Sequence, residues 1–524
     1  MKLRTIVKIA ITSSVVLLCA GFALYSFFRL SAAEGKKDFN LYELVPPSAS
    51  AVFVTDDILE FVAEVDDLAC SKNQQYLYVS KLFSYLKQSL YALSEDTPHG
   101  LSRQMNQMLI SFHEPDNERN QVLYCRLGNG DKELVNRFVR KYISSLYPPK
   151  TFIYKGEEII IYPMADGDFL ACYLTSDFMA LSFQKKLIEN VIDAYKSGKS
   201  LADDSTFTGI RAPKKSAAAA TIYTRMQGMM GWTEFDMKMK DDFIYFSGIT
   251  HDADTCFAFI NQLRQQQSVK GFPGEVLPST AFYFSRQGIT DWVSLLSYGN
   301  AQGQSVPART SEVQNRDKEF SRYLMENAGQ DLVACLFQRE DTLQDAAAVL
   351  SLSVADVTEA ERMLRALVNA APADEGRRNP RITFCYTVNK AYPIYRLPQT
   401  TLFEQLTSFA EPTLDVYAAF YGGRLLLAPD ADALAHYIRQ LDKGEVLNGA
   451  MAYQTGMDHL SDSYHFMLMA DFDHIFQQSE NHVRFVPDFF LRNADFFRHF
   501  TLFVQFACAD GVVYPNIVLK YKSE

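Results

Sequence analysis

Basic charge is what this chain most lacks. Lysine and arginine together number 51 against 62 acidic residues, a formal net charge of −11. A nucleic-acid footprint needs a basic face, so that class of partner is set aside. Electrostatic adhesion to anionic lipid goes with it. Paired cysteines are also missing. Eight cysteines stand at 19, 70, 125, 172, 256, 335, 385 and 508, and no two share a CxxC or comparable metal-ligand spacing. Most lie in apolar runs such as LVACLF around Cys335 and FLACYL around Cys172, where a thiol behaves as a small hydrophobe. A disulfide in an oxidising compartment stays open, with no pairing indicated.

The short motifs of common chemistries are absent too. Gly128 begins GNGD, which lacks the Lys-Ser/Thr that a phosphate cradle requires. There is no G-x-S-x-G elbow and no HExxH. His113-Glu114-Pro115 is followed by no second histidine at helical spacing, and Asp166-Gly167-Asp168 has no EF-hand continuation. Acidic doublets at Asp56-Asp57, Glu157-Glu158, Asp203-Asp204 and Asp241-Asp242 fall at predicted caps and turns. No cofactor is expected, and enzymatic activity is left open with the balance against it.

What the chain does have is aromatic weight, with 39 Phe and 28 Tyr. These residues favour pleated, half-buried surfaces, so the composition leans towards sheet. It also has one long apolar run. Val7 to Phe28 carries no charge between Lys8 and Arg29, and Lys2, Arg4 and Lys8 precede or open it. About 20 apolar residues suffice to cross a bilayer as a helix, and the basic flank keeps the N-terminus cytoplasmic. Cleavage at Ser31-Ala32-Ala33 is the rival, weakened because the run exceeds a signal peptide's usual core. A lipoprotein anchor at Cys19 is opposed by Leu18. Residues 1–41 are therefore expected to be a cytoplasmic tip, a transmembrane anchor and a tether.

The rest is written twice. Cys172 to Phe207 reads strand, tight turn, strand, amphipathic helix, glycine, leucine, aromatic, and Tyr417 to Tyr453 repeats the order. Gly198 matches Gly444, Leu201 matches Leu447 and Phe207 matches Tyr453, each pair 246 apart (444 − 198). Both glycines should end helices in left-handed backbone. Pro47 and Phe61 match Pro278 and Trp292 at 231 (278 − 47), while the strands around Phe112 and Phe337 match at 225 (337 − 112). Ile161-Tyr162 matches Ile394-Tyr395 at 233 (394 − 161). The closing hairpins, Phe235 to Ile249 and Val504 to Val518, turn at Asp241-Asp242 and Asp510-Gly511. The expected fold class is α+β: two tandem copies, 42–270 and 271–524, of a mostly antiparallel-sheet domain behind the anchor. Helices are expected at Ile58 to Leu68, Gln74 to Leu93 and Ala253 to Gln267. The second copy gains 13 residues (246 − 233) around Thr400 to Thr413 and 23 (269 − 246) around Asp473 to Arg498.

Two candidate sites stand out, both in the second copy. Six of nine histidines fall between His436 and His499. Strand alternation puts His465, Met467, Met469 and Asp471 on one face, with Asp473 and His474 following at once. Imidazole and carboxylate would suit zinc or manganese; the bland alternative is a solvated sheet face, and no metal is assigned. The second site is the larger insertion. From Pro487 it spaces Phe489, Phe496 and Phe500 at i, i+7 and i+11, with Phe490 and Phe497 beside them, as one helix face. That face either covers the sheet or docks a partner or the nearby lipid.

The pattern Pro-Ser-x-x-Ala-Val-Phe-Val behind an anchor, with the strand–helix–Gly–x–x–Leu–x(5)–Phe unit, resembles the uncharacterised bacterial envelope proteins grouped as domain of unknown function 3352. The resemblance implies an inner-membrane anchor, a periplasmic bulk and no assigned site residues. The expected function is non-enzymatic binding or scaffolding of an envelope partner. Ligand binding between the copies and a hydrolase without a recognisable motif are the alternatives.

Overall fold

The computed structural model describes residues 39–72, 103–114, 119–128, 131–138, 147–164, 167–211, 218–225, 232–250, 258–296, 310–339, 346–370, 381–388, 390–407, 413–478, 486 and 488–522. The apolar run Val7–Phe28 and the expected helix Gln74–Leu93 lie outside them. No helix among the described residues is long and apolar enough to cross a membrane.

The described chain is α+β with antiparallel strands. In chain order these are β1 (Ala51–Thr55), β2 (Met108–Phe112), β3 (Gln121–Arg126), β4 (Lys150–Tyr154), β5 (Glu157–Pro163), β6 (Phe169–Leu174) and β7 (Phe178–Ser182). Then follow β8 (Ala220–Thr224), β9 (Thr233–Lys240), β10 (Phe243–Thr250), β11 (Val269–Lys270), β12 (Ala281–Gly288), β13 (Ala328–Gln338) and β14 (Ala346–Val354). The last are β15 (Ile382–Tyr386), β16 (Ala391–Arg396), β17 (Tyr417–Tyr421), β18 (Arg424–Ala428), β19 (Ser463–Tyr464), β20 (Phe466–Asp471), β21 (Phe500–Ala509) and β22 (Val512–Tyr521).

Two compact units result. Of the described residues, one takes those within Met1–Ala49, Asp56–Ile58 and Leu86–Asp204; the other takes those within Ser50–Thr55, Leu59–Tyr85 and Ser205–Glu524. The packing boundary thus departs from the expected division at residue 270. The reason is a ladder between distant strands: β10 pairs β22 antiparallel, Phe243 opposite Lys520 and Thr250 opposite Val513. Through it β8 to β10 belong to the second unit.

In the first unit the strand order is β4-β5-β6-β7-β3-β2. The helix Lys185–Ser197 buries Leu187, Ile188, Val191, Ile192 and Ala194 and stops at Gly198, whose φ is 62°. In the second unit the order is β1-β8-β9-β10-β22-β21-β20-β12-β13-β14-β18-β17-β16-β15. A small ladder, β11 with β19, stands apart. The helix Ala431–Asp442 opens on Asp430, whose carboxylate accepts the Ala433 N–H, and runs to Gly444 with φ 75°. Both glycines are left-handed, as the helix-ending argument requires.

Leu41–Leu44 forms a 3-10 turn, and β1 begins only at Ala51. Pro46 and Pro47 intervene, and neither can donate to a ladder. The expected helix Ala253 to Gln267 is described as Ala258–Arg264.

The second unit's central strands are covered on both faces. Along β13, Leu332, Ala334 and Leu336 face one core while Val333, Cys335 and Phe337 face another. Helices Ser311–Asn327 and Val357–Ala370 supply the first core with Phe320, Tyr323, Leu364 and Val368; the helix Ala431–Asp442 supplies the second with Leu434, Tyr437 and Ile438. Each such side chain contributes roughly 1.5–3 kcal/mol on burial. This is why LVACLF is apolar throughout rather than alternating. The six described cysteines are free thiols.

Candidate functional site

The predicted His/Asp cluster comes together in part: Asp471, Asp473 and His474 meet at a helix start, and His465 bonds elsewhere. Met467 and Met469 are buried in the core beneath β20, so their face is neither solvated nor open to a ligand. His465 is elsewhere engaged: its Nδ1 accepts the Cys508 N–H at 3.1 Å. Asp471 caps the short helix Phe472–Phe476, its Oδ1 accepting from the Asp473 N–H at 3.1 Å and the His474 N–H at 3.4 Å. Its other oxygen, Oδ2, lies 3.3 Å from His474 Nδ1, while Lys522 donates to the capping oxygen Oδ1. Burial pushes this carboxyl up, but His474 and Lys522 together hold it below the usual range. Asp473 enters through its backbone. Among the described residues no three His, Cys, Asp or Glu side chains gather in a metal-holding group. Asp471 caps a helix here, and His465 joins β21.

The phenylalanine insertion is not the single helix expected. Asp488–Arg492 and Ala494–Phe497 are two short helices, broken at Asn493 (φ −110°, ψ 30°), and Phe500 already belongs to β21 opposite Tyr521. The strand pairing captures the end of the segment before a third helical turn can form. Phe497 and Phe500 are buried, and Phe490 and Phe496 are half-buried. They nest with Phe472: ring centroids lie 5.0 Å apart for Phe472–Phe490 and 4.8 Å for Phe490–Phe497. The Phe489 side chain lies outside those described.

Among the described residues one arrangement of the type used in nucleophilic catalysis occurs, in the first unit, and sequence reading missed it. Exposed Ser48 Oγ lies 3.2 Å from His113 Nδ1; His113 Nε2 lies 2.9 Å from buried Ser111 Oγ; Ser111 lies 3.0 Å from the buried Tyr124 hydroxyl. The protons can be ordered by satisfaction. Tyr124 is fully buried and Ser111 is its partner, so its O–H donates to Ser111. Ser111 then donates to Nε2, which leaves the ring proton on Nδ1, donating to Ser48. Histidine therefore holds Ser48 instead of taking its proton. Reversing the chain would orphan the Tyr124 O–H at roughly 1–3 kcal/mol. Burial also pushes the His113 pKa down to about 4, consistent with a ring that must stay neutral. A serine so held is a poor nucleophile.

The second unit has its own polar core. Asp331 on β13 accepts from Arg286 Nε at 3.0 Å and from Arg424 Nη1 at 3.3 Å, and Arg424 also donates to the Ser351 carbonyl at 2.9 Å. Arg286 reaches the Gly271 carbonyl at 2.8 Å. Burial raises the Asp331 pKa, and the two guanidiniums with Ser353 more than reverse it. Every group named has a partner within the chain, so the cluster reads as internal bracing.

The feature that looks outward is β15. It ends the second unit's strand order and pairs, among the described residues, with β16 alone. Ile382, Phe384 and Tyr386 are 39, 53 and 70% exposed, and Val388 just beyond is 95% exposed. Phe384 and Tyr386 rings lie on one face, centroids 6.3 Å apart. Cys385 between them is fully buried. Backbone direction follows from the ladder. Arg396 N–H donates to the Arg381 carbonyl at 2.9 Å and Thr387 N–H to the Lys390 carbonyl at 3.0 Å, so odd-numbered residues bond inward to β16. Antiparallel residues alternate in this respect. Ile382, Phe384 and Tyr386 accordingly aim their N–H and C=O groups at the open edge. A bare apolar edge of this kind is a template for another strand. The signal was legible in outline: ITFCY is rich in β-branched and aromatic residues and is closed by a turn.

Comparison with protein-family models, curated proteins and solved structures returns no match.

Proposed function

We propose that this chain is a single-pass, membrane-anchored bacterial envelope protein whose duplicated ectodomain holds another polypeptide instead of catalysing a reaction. The apolar run Val7–Phe28 behind basic residues supports the anchor, and the resemblance drawn from the strand–helix–glycine unit supports the envelope location. The strand correspondence supports the duplication. Adding 246 to β7 (178–182) lands on β18 (424–428), and adding 269 to β10 (243–250) lands within β22 (512–521). The orders β4-β5-β6-β7-β3-β2 and β15-β16-β17-β18-β14-β13 then correspond term for term.

The observation that carries the binding reading is the β15 edge, where outward backbone groups and exposed apolar side chains belong to the same residues. Strand addition uses both: main-chain hydrogen bonds for affinity and alternate side chains for selectivity. The test is a photo-crosslinking residue at Val388 in cell membranes, with the highly exposed Met451 (81%) as the control position. A discrete protein adduct specific to position 388 is expected. No adduct beyond the control overturns the reading.

A further inference from the structure

We infer that the strand which completes the β15 edge is β15 of a second copy of this chain, paired antiparallel about Phe384. The inference rests on the binding reading above and names its partner.

The occupant has to be an extended strand, because the edge offers N–H and C=O groups from alternate residues. Its side chains have to be apolar on one face, since Ile382, Phe384 and Tyr386 would lie beside them. The strand itself meets both demands. Its outward residues are odd in number and evenly spaced around Phe384. A twofold axis there sets Phe384 opposite its own copy and Ile382 opposite Tyr386 of the other chain. Each of those pairs would exchange both backbone hydrogen bonds and bring together aromatic and β-branched side chains, the combinations that stabilise neighbouring strands. Shifting the register by two residues loses a pair at one end, and shifting it by one brings inward-bonded residues to the edge. One register therefore satisfies the edge. The contact is isologous, so it closes at two copies. Neither Arg381 nor Lys390 lies among the outward set, so no like charges oppose each other within it.

The test uses the full chain in detergent micelles and in membranes. Phe384→Pro removes an N–H that, among the described residues, points away from β16, and proline is tolerated at a strand edge on that side. The variant should keep its unfolding midpoint while the dimer dissociation constant rises about tenfold or more. Register is read by cysteine linkage against the wild-type background. Phe384→Cys alone should give a disulfide dimer under mild oxidation, as the facing Cα separation of about 5.5 Å permits. Ile382→Cys alone and Tyr386→Cys alone should not, but a mixture of the two should. A dimer unaffected by Phe384→Pro, or linkage in the wrong combination, overturns the self-pairing. A monomer whose Val388 adduct is a different protein overturns self-pairing and leaves the binding reading standing. A monomer with no adduct overturns both.

Discussion

Strands β4 and β15 occupy the same place in two corresponding strand orders and treat the exposed edge in opposite ways. In β4 the Lys155-Gly156 turn (φ 49° and 82°) closes on the Tyr154–Glu157 pair, so Thr151 and Ile153 face outward. Charge surrounds that edge. Lys155 pairs with Asp193 at 2.7 Å, Lys196 with Glu157 at 2.9 Å, and the Lys185 ammonium sits 5.2 Å over the Phe152 ring. Lysines at an edge discourage a second chain, because desolvating them is costly. Among the described residues, no ion pair or cation–π contact of this kind sits at Ile382, Phe384 or Tyr386 of β15. The contrast teaches that the scaffold alone does not make an edge adhesive. What differs is which side chains flank the outward backbone groups.

The two units also differ in their polar interiors. At the separations of 225 and 246 residues, Leu336 and Val349 stand 225 residues after Ser111 and Tyr124, and Asn106 and Phe178 stand 225 and 246 residues before Asp331 and Arg424, so neither polar set recurs there. Three changes would sharpen or break these contrasts. The largest effect is expected from Asp331→Ala, which leaves two guanidiniums buried without their carboxylate. Removing one partner of a buried ion pair costs roughly 3–5 kcal/mol, read as a lower denaturant midpoint for the whole chain. A loss under about 1 kcal/mol would mean that Arg286 and Arg424 are braced without Asp331.

The next effect is the part of the pH dependence that the first unit's device supplies. The folded His113 pKa of about 4 lies below its ordinary 6.5. The unfolded chain therefore binds the proton first, and stability contributed by the neutral ring falls as pH drops from about 6.5 towards 4, then levels off. The slope of unfolding midpoint against pH in that window should be shallower in His113→Gln than in wild type. Equal slopes would show that the ring titrates normally. The smallest effect on stability, and the closest probe of the edges, is the double change Lys155→Ala with Lys185→Ala. Exposed pairs contribute little to stability, so the midpoint should barely move. Self-association measured by sedimentation should nevertheless rise, because β4 would then resemble β15. No change in association would show that those ammonium groups are not what guards the edge.

Much of this frame was legible in the residues. The glycines at 198 and 444, the turns at Asp510-Gly511 and Gly422-Gly423, and the hairpins they join all follow from local backbone chemistry. Long-range pairing did not. Nothing local to Phe243 names Lys520 as its partner, so the packing boundary at Asp204 was invisible. β4 and β15 were passed over because each follows a polar or proline-bearing stretch that reads as loop, YPPK before one and GRRNPR before the other. The histidine cluster misled for a related reason. Alternation tells which residues share a face of β20, but not that helices cover that face.

The β10–β22 ladder also sets a clock. Phe243 and Lys520 are 277 residues apart (520 − 243). At about 5–20 residues per second, roughly 15–55 s of synthesis separate one from the other. For that interval β10 has been made and its partner has not. Tyr245 and Phe246, which end up half-buried beside Val518 and Ile517, must wait with one side of their strand unpaired. Any factor that attends this chain during synthesis has a long task there, at an edge that the finished molecule no longer shows.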